Sequence, residues 1–429
     1  MLQLTSHFFK IKEMKKNELL NKWLWKWHVM AGLISAPFVI ILAITGFLYL
    51  LKADYENPRQ KHIKQVEAKG SPISFQKQLE IANKNAIKKP NAMVIPQHKN
   101  QATEFLSGRF GGKTTLYVNP YQGKVLGEIL PKNTLMYKIR KIHGELLLGK
   151  WGTKIVELIA SWMVVLIITG LYVWWPSRGW NLKGFFIPRI NQGKQILCRD
   201  LHVIFSFWIS GLLLLTLAGG FPWTDVFGAN FKWVQQKTNT GFPNTWEGHG
   251  LKSKIQGNPM SLDAMVIKAK DLNLEGKISI SFPKGEEGVY SVSNELFSNL
   301  NAQKKFHFDQ YSGALIHKNT WKDVGILMRG RMWVMAFHQG QFGAWNWWLM
   351  LFTAFALFIA STSALVSYIK RKRKGSWSIP KVPKKFNVGY GIIGILILLA
   401  ILFPLFGISL IVIFLAEKFN PKQRNKAFI

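Results

Sequence analysis

WHVMAGLISAPFVIILAITGFLYLL, Trp27 to Leu51, places 23 uncharged residues after His28, enough for the roughly 20 helical residues that cross a bilayer. A basic arm (Lys10, Lys12, Lys15, Lys16, Lys22, Lys26) precedes it, and no small-x-small cleavage site ends it. It therefore reads as an uncleaved anchor rather than a signal peptide. Four more uncharged apolar stretches follow: Leu158 to Trp175, Leu201 to Thr224, Gln339 to Ile369 and Phe386 to Ala416. Five spans are expected, and a histidine stands before each of the first four: His28, His143, His202 and His338.

Composition agrees with a membrane protein. The 429 residues are 48% hydrophobic and 14% aromatic, and the 18 Trp include groups at predicted span boundaries (Trp23, Trp25, Trp27; Trp174, Trp175; Trp345, Trp347, Trp348) where indole rings anchor helices. The net charge of +34 would suit nucleic acid in a soluble protein; beside apolar spans it points to anionic lipid headgroups and acidic outer ligands, and no nucleic-acid partner is expected. Cys198 is the only cysteine, which excludes an internal disulfide, covalent haem attachment through CxxCH and a cysteine-ligated iron-sulfur cluster.

Short basic connections set the orientation. The N-terminal arm, Pro176 to Asp200 and Lys370 to Lys385 belong in the cytoplasm, which leaves the two long connections outside. The expected division is an arm with the first span (1–51), a first outer module (52–140), the second span (141–176), a cytoplasmic loop (177–200) and the third span (201–224). A second outer module (225–335), the fourth span (336–369), a basic loop (370–385) and a fifth span with tail (386–429) follow.

The two outer segments read alike. Each opens on an amphipathic helical pattern (Phe75 to Ala86; Leu262 to Leu272) and closes on alternating strands around a turn, Asn119-Pro120-Tyr121-Gln122-Gly123 or Asp309-Gln310-Tyr311-Ser312-Gly313. The spans repeat as well, since His28 and His202 each stand eighteen residues before a glycine, Gly46 and Gly220. The expected fold is an α-helical integral membrane protein: a pseudo-duplicated four-helix transmembrane bundle plus a fifth C-terminal span, with two small α+β outer modules.

On these residues the chain resembles the PepSY-associated transmembrane proteins. The likeness rests on Trp27-His28 with Thr45-Gly46-Phe47, Ile142-His143-Gly144-Glu145 with Thr169-Gly170-Leu171-Tyr172, Leu201-His202, and Phe337-His338-Gln339-Gly340. It departs at Gly219-Gly220, where Thr-Gly is expected. The resemblance implies PepSY-like periplasmic modules, a bacterial inner-membrane location and a link to iron uptake, through ferric-siderophore reductases that carry haem b on transmembrane histidines.

Charge sorting makes His28 with His202 the inner pair and His143 with His338 the outer pair, as two bis-histidine haems b would require. Arg140, Lys141, Arg329 and Arg331 outside, and Arg199 or Lys26 inside, are candidate propionate partners. A single interfacial histidine needs only a headgroup or backbone partner, and His143 is set apart from its apolar run by Glu145, Lys150 and Lys154. Zinc or copper would want a third nearby ligand. His7, His62, His98, His249, His307 and His317 read as solvated, with His307 and His317 open as outer ligand contacts. Thr45, Thr169 and Thr362 read as residues that permit close helix packing and hydrogen-bond back to their own helix, without chemistry.

Gly108-Arg109-Phe110-Gly111-Gly112-Lys113-Thr114 is one residue short of a phosphate loop, and no dinucleotide fingerprint is present. Electrons would come from a separate, unidentified donor and pass to a ferric siderophore or similar complex outside. Two other classes stay open: a non-enzymatic membrane protein that binds or inhibits a peptidase or senses a ligand, and an iron-complex permease.

Overall fold

The computed structural model describes residues 2–108, 113–175, 182–372, 374, 376, 378–379, 386 and 388–419, with 2–17 and 182 as backbone alone. The first half of the chain runs α1 (Leu2–Leu50), α2 (Lys52–Arg59), α3 (Lys61–Lys64), α4 (Phe75–Asn85), β1 (Ala92–Val94), β2 (Thr103–Ser107), β3 (Thr114–Asn119), β4 (Lys124–Ile129), α5 (Leu135–Glu145) and α6 (Gly149–Trp174). After α7 (Leu182–Phe185) come α8 (Lys194–Gly220), α9 (Val226–Lys237), α10 (Leu262–Asp271), β5 (Lys277–Ser281), β6 (Val289–Glu295), β7 (Lys304–Asp309), β8 (Leu315–Thr320), α11 (Ile326–His338) and α12 (Ala344–Arg371). Each half runs from a long helix through two short helices (α2, α3) or one (α9) to a further helix, four strands, a short helix and a long helix. The chain closes with α13 (Tyr390–Leu402) and α14 (Pro404–Lys418).

The structure divides into two compact units, residues 1–47, 141–231 and 349–429 in one, 48–140 and 232–348 in the other. Among the described residues four helices are long and apolar enough to cross a membrane: Glu18–Leu50, Gly149–Trp174, Lys194–Trp223 and Ala344–Arg371. These correspond to the first four expected spans.

The expected fifth span is corrected: the run from Phe386 to Ala416 is broken at Phe403. Pro404 has no N–H to give to the preceding turn, so a new helix starts there. A Cβ placed on Gly407 would lie 3.1 Å from Ala400 Cβ, a separation that only a fold-back allows. With 13 and 15 residues, each arm is about 20 Å long, short of the roughly 30 Å hydrocarbon thickness. The hairpin is fastened to the span unit by Phe406, fully buried with its ring 5.0 Å from Trp162, and by Trp162 Nε1 donating to Ser409 Oγ at 3.2 Å.

Between α5 and α6 the chain reverses through Leu146 (φ 49°) and Leu147 (φ 60°), left-handed conformations that β-carbons oppose. Gly152 lets the reversal close, since a Cβ there would collide with Glu145 O. His143 consequently lies on a short helix ahead of the span, not on the span. Deeper in α6, the buried carboxylate of Glu157 accepts from Val226 N (2.8 Å) and Phe227 N (2.9 Å) and caps α9 from a distant helix.

In the other unit, the two expected modules are joined in one antiparallel eight-stranded sheet of order β4-β3-β2-β1-β5-β6-β7-β8. The seam is β1 on β5, Met93 opposite Ile280, so each four-stranded half covers one edge of the other and β4 and β8 are the edges of the joined sheet. Helices α4 and α10 lie together on one face, over a core that includes Met93, Phe105, Leu262, Met265 and Ile280. The expected hairpin turns are present: Asn119 Oδ1 accepts from Tyr121 N and Gln122 N, Asp309 Oδ1 from Tyr311 N and Ser312 N, with Gly123 (φ 65°) and Gly313 (φ 64°) left-handed.

Candidate functional site in the helical unit

His28 on α1 and His202 on α8 meet, their ring centroids 6.3 Å apart and their planes inclined at 58°. Both rings are half-buried among helices. A metal bonded to one nitrogen of each ring at about 2 Å, with each nitrogen a little over about 1 Å from its ring centre, would set the centroids near 6 Å apart. The observed separation therefore fits two imidazoles sharing one iron.

The remaining ring nitrogens are assigned by their partners. His202 Nδ1 is 3.0 Å from the carbonyl oxygen of Ala360 on α12; a carbonyl only accepts, so Nδ1 carries the proton. His28 Nδ1 is 3.0 Å from Thr169 Oγ1, and that hydroxyl donates to Val165 O at 2.7 Å, which leaves its oxygen to accept. In both neutral rings the lone pair is on Nε2. An imidazole bound to metal through Nε2 commonly donates its other N–H to a carbonyl or carboxylate, which fixes the ring's tautomer and tilt.

His143 reaches α1 from α5: its Nδ1 is 3.1 Å from Leu42 O and 3.1 Å from Thr45 Oγ1. It too carries the proton on Nδ1 and the lone pair on Nε2. His338 ends α11 and belongs to the sheet unit. Among the described residues no group of three or more His, Cys, Asp or Glu is placed to hold a metal ion.

The expected propionate partners are placed variously. Arg199 is paired with Asp200 at 3.2 Å, and Arg189 grips the same buried carboxylate at 2.7 Å. Lys26 lies 3.9 Å from Glu417. Arg140 is exposed with its guanidinium 4.9 Å from the Tyr137 ring centre. Arg329 is half-buried and Arg331 buried, and burial pushes the Arg331 guanidinium below its ordinary range. Of the short phosphate-loop look-alike, Arg109 to Gly112 lie outside the described residues.

Two expectations change. His307, read as solvated, is fully buried, with Nδ1 2.9 Å from Ser291 Oγ. Thr45 and Thr169, read as packing residues, contact the candidate ligands directly. The signal for them was the recurrence of Thr-Gly eighteen residues after His28 and again in α6.

These features define a multi-pass α-helical membrane protein that presents paired imidazoles between its spans and carries a mixed sheet-and-helix unit on its long connections. The family model for the PepSY-associated TM region matches residues 25–371, and the chain belongs to that family. No curated protein matches it in sequence.

Proposed function

We propose that the protein is a haem-dependent oxidoreductase of the bacterial inner membrane, with a cytoplasmic N-terminus, that reduces a ferric complex, a ferric siderophore first among candidates. The separation of the His28 and His202 rings, with both Nδ1 protons engaged, carries this reading. His28 and His202 would hold one haem b, and the charge sorting of the sequence leaves His143 and His338 as ligands for a second. Haem held by two imidazoles supplies one-electron transfer without an open iron position. The chain's own residues do the rest: Thr169 and Ala360 orient the inner rings, Thr45 and Leu42 orient His143, and the apolar spans keep water from the pair. The siderophore as acceptor rests on the resemblance described above.

A pyridine haemochrome assay of the purified protein tests it, with about two haems b per chain expected from the two histidine pairs. His28→Ala and His202→Ala should each abolish the same spectral component and leave a second. A protein without haem would sink the reading and leave a peptidase-binding or ligand-sensing role.

A further inference from the structure

A threonine in a membrane helix ordinarily returns its hydroxyl hydrogen to the carbonyl one turn back. Thr45 does so to Ile41 O and Thr169 to Val165 O, each at 2.7 Å. The hydrogen is thereby committed, and the oxygen's remaining lone pair receives a ring N–H from another helix, His143 on Thr45 and His28 on Thr169. The next residue is glycine in both. A Cβ on Gly46 would stand 3.2 Å from His143 Cε1, and one on Gly170 3.0 Å from His28 Cε1, tighter than ordinary contact.

The two sockets are reciprocal. The histidine of α1 is seated in the Thr-Gly of α6, while the histidine leading into α6 is seated in the Thr-Gly of α1. We propose that Thr45-Gly46 and Thr169-Gly170 are positioning residues for the haem ligands, a role that rests on the proposed function. The threonine oxygen holds the ring in its Nδ1–H tautomer and makes Nε2 a stronger donor to iron; the glycine lets the ring come that close. His202, which faces no Thr-Gly, uses the Ala360 carbonyl for the same purpose, and the Ser363 hydroxyl bonds that carbonyl at 3.1 Å.

Redox titration and electron paramagnetic resonance of the haem-loaded protein test the hydroxyl. Thr169→Val removes the acceptor at nearly constant volume, and Thr169→Ser keeps it. Thr169→Val should raise the midpoint potential and alter the low-spin signal of the component that His28→Ala abolishes; Thr169→Ser should restore both. Thr45→Val should do the same to the other component. Gly170→Ala should perturb the signal of the first component with the hydroxyl intact. If Thr169→Val costs the protein its haem, retention by Thr169→Ser at the wild-type potential still assigns the role to the hydroxyl. A haem-loaded Thr169→Val with unchanged potential and spectrum overturns the inference while leaving the haem reading intact; a wild-type protein without haem overturns both.

Discussion

His307 in β7 is buried on the sheet face opposite the helices. Asn319 Nδ2 can only donate, so His307 Nε2 accepts at 3.4 Å and Nδ1 donates to Ser291; the ring is neutral. Burial, reinforced by Lys305 and His317 and opposed by Glu247 and a backbone hydrogen bond at Thr245, pushes its pKa from 6.5 down to about 4. An unfolded chain takes the proton near pH 6.5, the folded one only near 4. The contribution is therefore complete above pH 6.5 and drains away as pH falls toward 4. The unfolding temperature of the purified protein should fall across that interval, and His307→Gln should flatten the slope while costing about 1–2 kcal/mol at neutral pH. A slope unchanged by His307→Gln would refute it. The sequence could not place this ring inside: alternation puts Phe306 and Phe308 toward the helices and His307 away from them. That face is closed by the segment at Thr245 to Gly248, which no local pattern announces.

Helices α4 and α10 exchange caps across the seam of the sheet. Asp263 on α10 accepts from Phe75 N (2.7 Å) and Gln76 N (3.0 Å) at the start of α4, and Gln76 Oε1 accepts from Leu262 N (3.2 Å) at the start of α10. Each half satisfies amides the other exposes, and a carboxylate suits the positive end of α4. Asp263→Ala should therefore cost about 1–2 kcal/mol, Asp263→Asn less, read as a lower unfolding temperature with faster amide exchange in the first turn of α4. Exchange unchanged at Phe75 and Gln76 would contradict the capping role. These helices and the hairpin turns were legible because periodicity and Asx-Gly chemistry are local; the joining of the two halves in one sheet depends on strands far apart in the chain, β1 on β5 with Met93 opposite Ile280. The C-terminal break was hidden for another reason. Hydropathy registers that Phe386 to Ala416 avoids water, and a fold-back at Pro404 avoids water as well as a straight helix does. Thr45 and Thr169 were hidden by ambiguity, since their bond to their own helix is what any membrane threonine makes, and the second bond needs the neighbouring helix to be seen.

The charge of the chain is unevenly useful. Residues 48–140 and 232–348, the sheet unit, hold 30 Lys and Arg against 15 Asp and Glu, although long connections are not the ones whose charge sets orientation. Spread over one unit, that excess produces a field that draws anions from beyond contact distance, until salt with a screening length of about 10 Å at 0.1 M cuts it off. An electron acceptor approaching this unit would be gathered by charge before any specific contact forms. On the proposed function, reduction of an anionic ferric chelate should slow as salt rises from about 20 to about 200 mM, through a higher KM with kcat nearly constant, because screening weakens encounter and not the later step. A neutral ferric chelate, measured in the same protein, should keep its KM. Equal sensitivity of both chelates would mean that salt acts on the protein or on the electron donor, and the basic unit would then have no part in choosing the acceptor.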